Sequence, residues 1–479
     1  MTTTHLHIAI EIFLGILFVA MLGYLLFHKG GKRNIPKKYK VRFKLQSGRF
    51  KLANLKRGVS IIGSAGSGKT ESVVYNLLQH LSKHQFCGIL HDYKDFELTE
   101  MAYPLWKENP EVNFYTIALD AMYYKVNPIA PRYLPNEESV NEVARVLMEN
   151  LLEQGEFSNA TSRFFNDAVE GLLAGLVWKL KTDYPKLCTL PHVIAIFQSM
   201  PSKKLIAFLS SNLISKSMAS AFIHGIDSEK QTAGVKSTLA NAFKKISSRQ
   251  LFMILSEDEV PLDINNETHP AVLSIVNNPK YESAYAPVLA TIMHTVIKQM
   301  SVRNRRSSFV LMEEAPTLKL IHMHRIPATL RSYDIATIYV MQDKIQNDML
   351  YGDKASKAIL SNLSYQFFGK VNDPDTAKYY EQFFELIKIP TKSVSRSSGL
   401  TLESRITKGE KEVAKRRAGL FFRLQQGEFV AFADGKDQKV KFTLQNIKKE
   451  LPQRKRKYTE EELQVHMEAV YREVKSLLM

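Results

Sequence analysis

Cysteine is almost missing from this 479-residue chain. The two present, Cys87 and Cys188, have no metal-ligand spacing and suggest no disulfide framework, so reduced thiols facing a cytoplasm are expected. Acidic residues are also in deficit, 48 against 65 Lys plus Arg. The resulting net charge of +17 favours polyanionic partners, either nucleic acid or an acidic membrane face. Residues 1–7 carry no Lys or Arg, and no A-x-A site follows the apolar run behind them, which argues against a cleaved signal peptide. A second run long enough to span a bilayer is lacking, and so is any C-terminal module of the kind that reads DNA sequence.

The one long apolar run, Ile8 to Phe27, has the length that crosses a bilayer, with Glu11 its only charge and Tyr24 near its inner boundary. Lys29, Lys32, Arg33, Lys37, Lys38 and Lys40 follow at once. By the positive-inside rule the N-terminus faces outward and everything after it is cytoplasmic. Apolar content of 45% is enough for a proper core, and the length suggests two or three domains.

The chain is organised around Gly63-Ser64-Ala65-Gly66-Ser67-Gly68-Lys69-Thr70, which fits G-x-x-x-x-G-K-[ST]. Val59 to Ile62 reads as a strand before it, and Val73, Val74, Leu77, Leu78 and Leu81 recur at helical spacing after it. In that context glycines let backbone N–H groups turn toward phosphate oxygens, and the helix N-terminus adds partial positive charge. Lys69 is then expected at the β- and γ-phosphates and Thr70 on Mg²⁺. Cys87 to Leu90 reads as a second strand, followed by His91-Asp92-Tyr93-Lys94. Asp92 and Lys94 stand where a ligand crevice forms in an open α/β sheet, although a plain strand-end turn fits the pattern equally well.

From Asn136 to Glu257 the period becomes helical, which suggests an all-helical domain inserted into the α/β one. Lys230, Lys236, Lys244, Lys245 and Arg249 in its last part are read either as a nucleic-acid path or as a solvated basic face. Beyond it, Phe309-Val310-Leu311-Met312 reads as a strand ending in Glu313 and Glu314. The first carboxylate is expected to hold Mg²⁺ and the second to orient the attacking water. Ile335 to Met341 is another buried strand, with Gln342 at its end to sense the γ-phosphate or hold water. Arg331 precedes that strand and is a candidate arginine finger offered to a neighbouring subunit. Lys388 to Arg417 reads as an exposed loop or hairpin. Strands are expected at Leu420–Leu424, Glu428–Ala433 and Val440–Leu444. Thr459 with Glu462 forms a capping box that opens a last helix, expected to be solvated or to bind an adaptor.

Taken in order, the phosphate loop, Asp92-x-Lys94, Asn127-Pro128, Arg163-Phe164-Phe165 in the insert, Glu313-Glu314, Arg331-x-Tyr333 and Gln342 resemble the conjugative coupling proteins of type IV secretion systems, within the HerA/FtsK group of DNA motors. So do Ser361-Asn362, Phe368-Gly369-Lys370, Asp373 to Tyr379 and Gly427 to Val430. The likeness implies an α/β fold: a RecA-like P-loop NTPase domain with an inserted all-helical domain and an N-terminal transmembrane helix. The expected divisions are a membrane anchor over 1–40, nucleotide-binding parts over 41–135 and 258–447, the insert over 136–257, and a basic linker with C-terminal helix over 448–479. It also implies ATP and Mg²⁺ as cofactors and a homohexamer at the bacterial inner membrane. The implied partners are DNA bound without sequence specificity, a relaxase or secreted protein, and the secretion channel. Three positions depart from the family's habit: one spanning helix instead of two, Glu313 where Asp is usual, and Phe165 where Trp is frequent. The alternatives are a protein-only secretion ATPase of the same build, or a DNA pump for segregation.

Overall fold

The computed structural model describes residues 14–18, 21, 35–152, 160–225, 229–396 and 404–477. Most of the apolar run Ile8–Phe27 and the basic residues Lys29, Lys32 and Arg33 lie outside these. Among the described residues no helix is long and apolar enough to cross a membrane.

Among the described residues thirteen strands form three sheets: β1 Val41–Arg42, β2 Lys51–Leu52, β3 Val59–Ile62, β4 Cys87–Asp92, β5 Asn113–Ala118, β6 Ala271–Val276, β7 Ser308–Met312, β8 Ile335–Met341, β9 Tyr365–Phe368, β10 Leu386–Arg396, β11 Ser404–Ala414, β12 Glu428–Ala433 and β13 Lys436–Lys441. Nine make the central sheet, in the order β13-β12-β9-β3-β8-β7-β4-β6-β5. Seven of these, from β9 to β5, run parallel, and β12 and β13 close one edge antiparallel. The central strands are mostly apolar because helices cover both faces: every residue of β3, β4, β6, β7 and β8 is buried. The edge strand β13 instead exposes Lys436, Lys439 and Lys441, a composition that discourages further strand pairing.

On one face, Leu77, Leu78 and Leu81 of the helix Tyr75–Lys83 and Trp106 of the helix Glu97–Trp106 pack over β3, β4 and β7. The helix Glu282–Met300 covers the other face and carries the insert. That insert fills the connection from β5 to β6 with helices only, from Glu137–Leu151 to Arg249–Ile254. Its helices start on side-chain caps, as at Asn136, Thr189, Asn212 and Ser248. The longest, Ala160–Asp183, lies so close to the helix Leu213–Met218 that a Cβ at Gly171 would meet the Met218 carbonyl at 2.5 Å. The insert is fastened to the sheet domain where Glu142 meets Lys298 at 2.6 Å and His294 at 3.6 Å. Buried Asn127 also joins them, donating to the Cys188 carbonyl at 2.8 Å.

Three sequence expectations change here. Leu420–Leu424 is not a strand. Residues Ala418–Phe421 form a short helix whose Phe421 is buried against Phe368, Tyr380 and Phe384, so tertiary packing overrides the β-prone composition. The last strand lies at Lys436–Lys441 rather than Val440–Leu444, because a tight turn at Asp434-Gly435 sets the β12–β13 register. The C-terminal helix Glu460–Ser476 has the capping box but is not solvated all round. It buries Leu463, Val470 and Val474, stacks Tyr471 on Phe252 at 6.1 Å, and pairs Glu473 with His192 at 2.9 Å. The polar stretch Lys388–Arg417 contains a hairpin, β10 with β11, separate from the central sheet.

Candidate active site

The site forms where four neighbouring strands end on the carboxyl edge of the sheet. In the order β3, β8, β7, β4 they deliver the loop Gly63–Thr70, Gln342, the pair Glu313–Glu314, and Lys94. Open α/β sheets bind ligands at this edge because the strand-end loops diverge there.

The loop leaves β3 with the Gly63 N–H donating to the Met341 carbonyl at 3.2 Å. Gly66 and Gly68 adopt φ of +73° and +82°, which bend the chain back on itself. After Lys69 the backbone makes a wide π turn over Thr70–Val74 before continuing as α-helix. Such turns often mark functional positions. Lys69 folds onto its own loop, donating to the Gly63 carbonyl at 2.5 Å and that of Ser64 at 3.4 Å. Burial lowers its pKa, opposed by the charges of Glu314 and Glu313.

The acidic pair is buried, Glu313 at 1% and Glu314 at 3% exposure. Thr70 Oγ1 donates to Glu313 Oε1 at 3.1 Å, which links the phosphate loop to β7 directly. Glu313 Oε2 is buried without a hydrogen-bond partner among the described residues. Burial, reinforced by the nearby Asp92 carboxylate, pushes the Glu313 pKa up to about 8, against the lowering effect of Lys94. Neutral His91 beneath it, its pKa lowered to about 4 by burial, bonds the Glu313 carbonyl at 2.9 Å through Nδ1. Glu314 takes a left-handed backbone conformation, φ 44° and ψ 52°, which costs a side-chain-bearing residue about 1–2 kcal/mol. Gln342 Nε2 donates to Glu314 Oε1 at 3.2 Å. Lys94 Nζ lies 3.7 Å from Glu313 and 3.5 Å from Glu314.

The structure thus brings together Lys69, Thr70, Glu313, Glu314 and Gln342, with Lys94, one of the two crevice candidates at the end of β4, beside them. It does not bring Arg331 to them. Arg331 ends the helix Ile326–Arg331 on the amino edge of β8, at the opposite end of the strand from Gln342. Of the five basic residues considered for a nucleic-acid path, three are engaged within the chain. Lys236 reaches the Met200 carbonyl, Lys245 the Leu151 carbonyl, and Arg249 pairs with Glu460.

The model of a protein family described as type IV secretory system conjugative DNA transfer matches residues 26–417, most of the chain. The chain belongs to that family. Solved structures of the bacterial conjugative coupling protein TrwB share its fold. The unbound monoclinic form is 12% identical with a TM-score of 0.65, covering 85% of this chain and 90% of TrwB. The form in complex with ADP and Mg²⁺ is 12% identical with a TM-score of 0.63, covering 82% and 86%. VirB4 of Thermoanaerobacter pseudethanolicus is more distant, 11% identical at a TM-score of 0.50 over 86% of this chain and 98% of its own. No curated protein matches the sequence.

In this member of the family the phosphate loop is braced by segments that sequence reasoning did not assign to the site. Ser64 N donates to the Lys370 carbonyl at 2.7 Å, and Gly427 N to the Ser67 carbonyl at 3.0 Å. A Cβ at Gly68 would meet Gly427 N at 2.9 Å, so the brace and the loop glycine require each other. Phe368-Gly369-Lys370 and Gly427 were visible as sequence motifs. Nothing in the linear pattern showed that β9 and β12 fold them against Gly63–Gly68.

Proposed function

We propose that this protein is a membrane-anchored ATPase. In this reading it recruits DNA as a relaxase-bound single strand, with associated protein, and drives it into a type IV secretion channel during conjugation. The observation that carries the reading is the convergence of Lys69, Thr70, Glu313, Glu314 and Gln342 on one sheet edge, in a chain of the conjugative DNA transfer family. TrwB is described in complex with ADP and Mg²⁺ and with non-hydrolysable ATP and GTP analogues. The residues here suit the same ligands. Thr70 and Glu313 would hold Mg²⁺, since Glu313 keeps a buried oxygen without a partner. When bound, the cation neutralises charge on the phosphoryl group being transferred. The chain's own residues do the rest. Lys69 exchanges its loop carbonyls for phosphate oxygens. Glu314, fixed by Gln342, orients a water and takes its proton at a carboxylate oxygen. The run Ile8–Phe27 and its basic flank support anchoring in the bacterial inner membrane with the motor cytoplasmic, and Arg331 supports a ring, a homohexamer by family habit.

Full-length protein should bind and hydrolyse ATP, and Lys69→Ala should weaken ATP and ADP binding together, roughly 100-fold or more, because a charge-assisted contact to phosphate is lost from a buried site. Equilibrium titration with both nucleotides checks this. Absence of binding by the wild type under oligomerising conditions would remove the motor reading.

The net charge of +17 leads to a second expected result. Binding to single-stranded DNA should fall steeply between low and physiological salt, with little dependence on sequence, because phosphate contacts release counterions. Fluorescence anisotropy across a salt series measures it. A flat response would instead favour the protein-only secretion ATPase.

A further inference from the structure

Lys94 has no assigned role, yet it lines the same cavity as the phosphate loop, together with Glu97, Gln342 and Gln426. Its position is built in. At the end of β4 the buried Asp92 carboxylate accepts hydrogen bonds from Lys94 N at 3.2 Å, Thr99 N at 2.7 Å and Thr99 Oγ1 at 2.6 Å. Between those donors the chain makes a tight reversal in which Asp95 and Phe96 both take left-handed conformations, φ 49° and 76°. Two consecutive side-chain-bearing residues in that region are strained, and such strain persists only where surrounding contacts enforce it. Phe96 is held against Tyr123, ring centroids 5.5 Å apart. The backbone of Lys94 is therefore fixed, while its side chain stays 36% exposed.

The ammonium is held differently from that of Lys69. It stands 3.5 Å from Glu314, 3.7 Å from Glu313 and 3.8 Å from Glu97, with none of the three at a normal hydrogen-bond length. It is a cation set among three carboxylates on the wall facing the phosphate loop, with no close hydrogen bond to any of them. A nucleotide cradled by that loop points its terminal phosphate at the acidic pair. With Glu313 engaged by a cation, the oxygens of that phosphate become the best acceptors within the cavity that Lys94 lines.

We infer that Lys94 contacts the terminal phosphate of the bound nucleoside triphosphate, from the opposite wall to Lys69, and so distinguishes triphosphate from diphosphate. This rests on the nucleotide reading of the site. Lys69, on the loop itself, serves both nucleotides. Lys94, three strands away and beyond the acidic pair, serves only the one with a γ-phosphate.

The test titrates the full-length protein, in Mg²⁺, with fluorescent ADP and with a fluorescent non-hydrolysable ATP analogue. Lys94→Ala and Lys94→Gln should bind the ATP analogue about 10- to 100-fold more weakly than wild type, the range for a hydrogen bond to a charged group, while ADP affinity stays within about twofold. Lys94→Arg should retain most of the discrimination. Lys94→Gln keeps most of the stem and a polar end without the charge, and reports even if the alanine variant folds poorly. Equal weakening of both nucleotides would make Lys94 a structural brace of the acidic pair and overturn the inference, as would unchanged binding of both. If the wild type binds neither nucleotide, the nucleotide reading fails first.

Discussion

Arg331→Ala should keep nucleotide binding and slow ATP turnover about 10³- to 10⁵-fold, the range an arginine finger contributes in other nucleotide hydrolases. The geometry makes this a statement about two subunits. Arg331 lies on the amino edge of β8, whereas the phosphate loop and Gln342 lie on the carboxyl edge. Seven residues of strand separate the two edges, about 23 Å at 3.3 Å per residue, beyond the reach of one side chain. Arg331 is exposed, and among the described residues its guanidinium makes no hydrogen bond or ion pair. An arginine so placed serves a site only if a neighbour in a head-to-tail ring presents its own phosphate loop to that edge. Mixing supplies the check. Lys69→Ala subunits lose their own site but still donate Arg331, and Arg331→Ala subunits keep an intact loop. Mixed rings should recover part of the activity that neither parent has. If subunit exchange is demonstrated and the mixture stays inactive, Arg331 is not a finger in trans.

The second large effect should come from Glu314→Gln. The substitution preserves shape and the contact with Gln342 but removes the group that takes a proton from water, so hydrolysis should fall about 10²- to 10⁴-fold with ATP still bound. Single-turnover hydrolysis beside equilibrium ATP binding separates the two. Glu313→Gln should behave differently: it removes a cation ligand, so its loss should be partly rescued by raising Mg²⁺, whereas Glu314→Gln should not respond.

Much of this site was legible because its parts announce themselves locally. The loop Gly63–Thr70 carries its own spacing, and β3, β7 and β8 are apolar runs ending in polar residues, the signature of strands buried on both faces. What was not legible depends on pairing across long separations. That Thr70 bonds Glu313, 243 residues away, follows from β3 and β7 lying on either side of β8, and strand order is not written in hydropathy. The Lys370 and Gly427 braces are of the same kind. Leu420–Leu424 misled because an apolar cluster of that length suits a strand or a short buried helix equally, and the aromatic pocket around Phe421 decided it. The end helix misled because its buried stripe of Leu463, Val470 and Val474 is narrow among charged residues.

That end helix ties the insert to the sheet domain from a second side. The insert leaves and re-enters the sheet domain through two neighbouring crossings, the segments after β5 and before β6, and rests on the helix Glu282–Met300 between them. The tail adds a third strut. Lys449 grips Glu100 at 2.6 Å, Glu450 N donates to the Glu100 carbonyl at 2.9 Å, and Lys107 pairs with Glu450, so the strut starts on the helix directly behind the Lys94 turn. It runs on past Glu259, which Lys455 meets at 3.3 Å, and ends as the helix bolted to Leu190–Ser199 and Arg249–Ile254 of the insert. Crossings, helix Glu282–Met300 and tail thus hold the insert at separate places. Moving the insert against the sheet domain would require breaking the tail's contacts with the helix behind the Lys94 turn or with the insert. A chain cut after Leu444 would keep every residue of that site and yet lose this tie between its base and the insert.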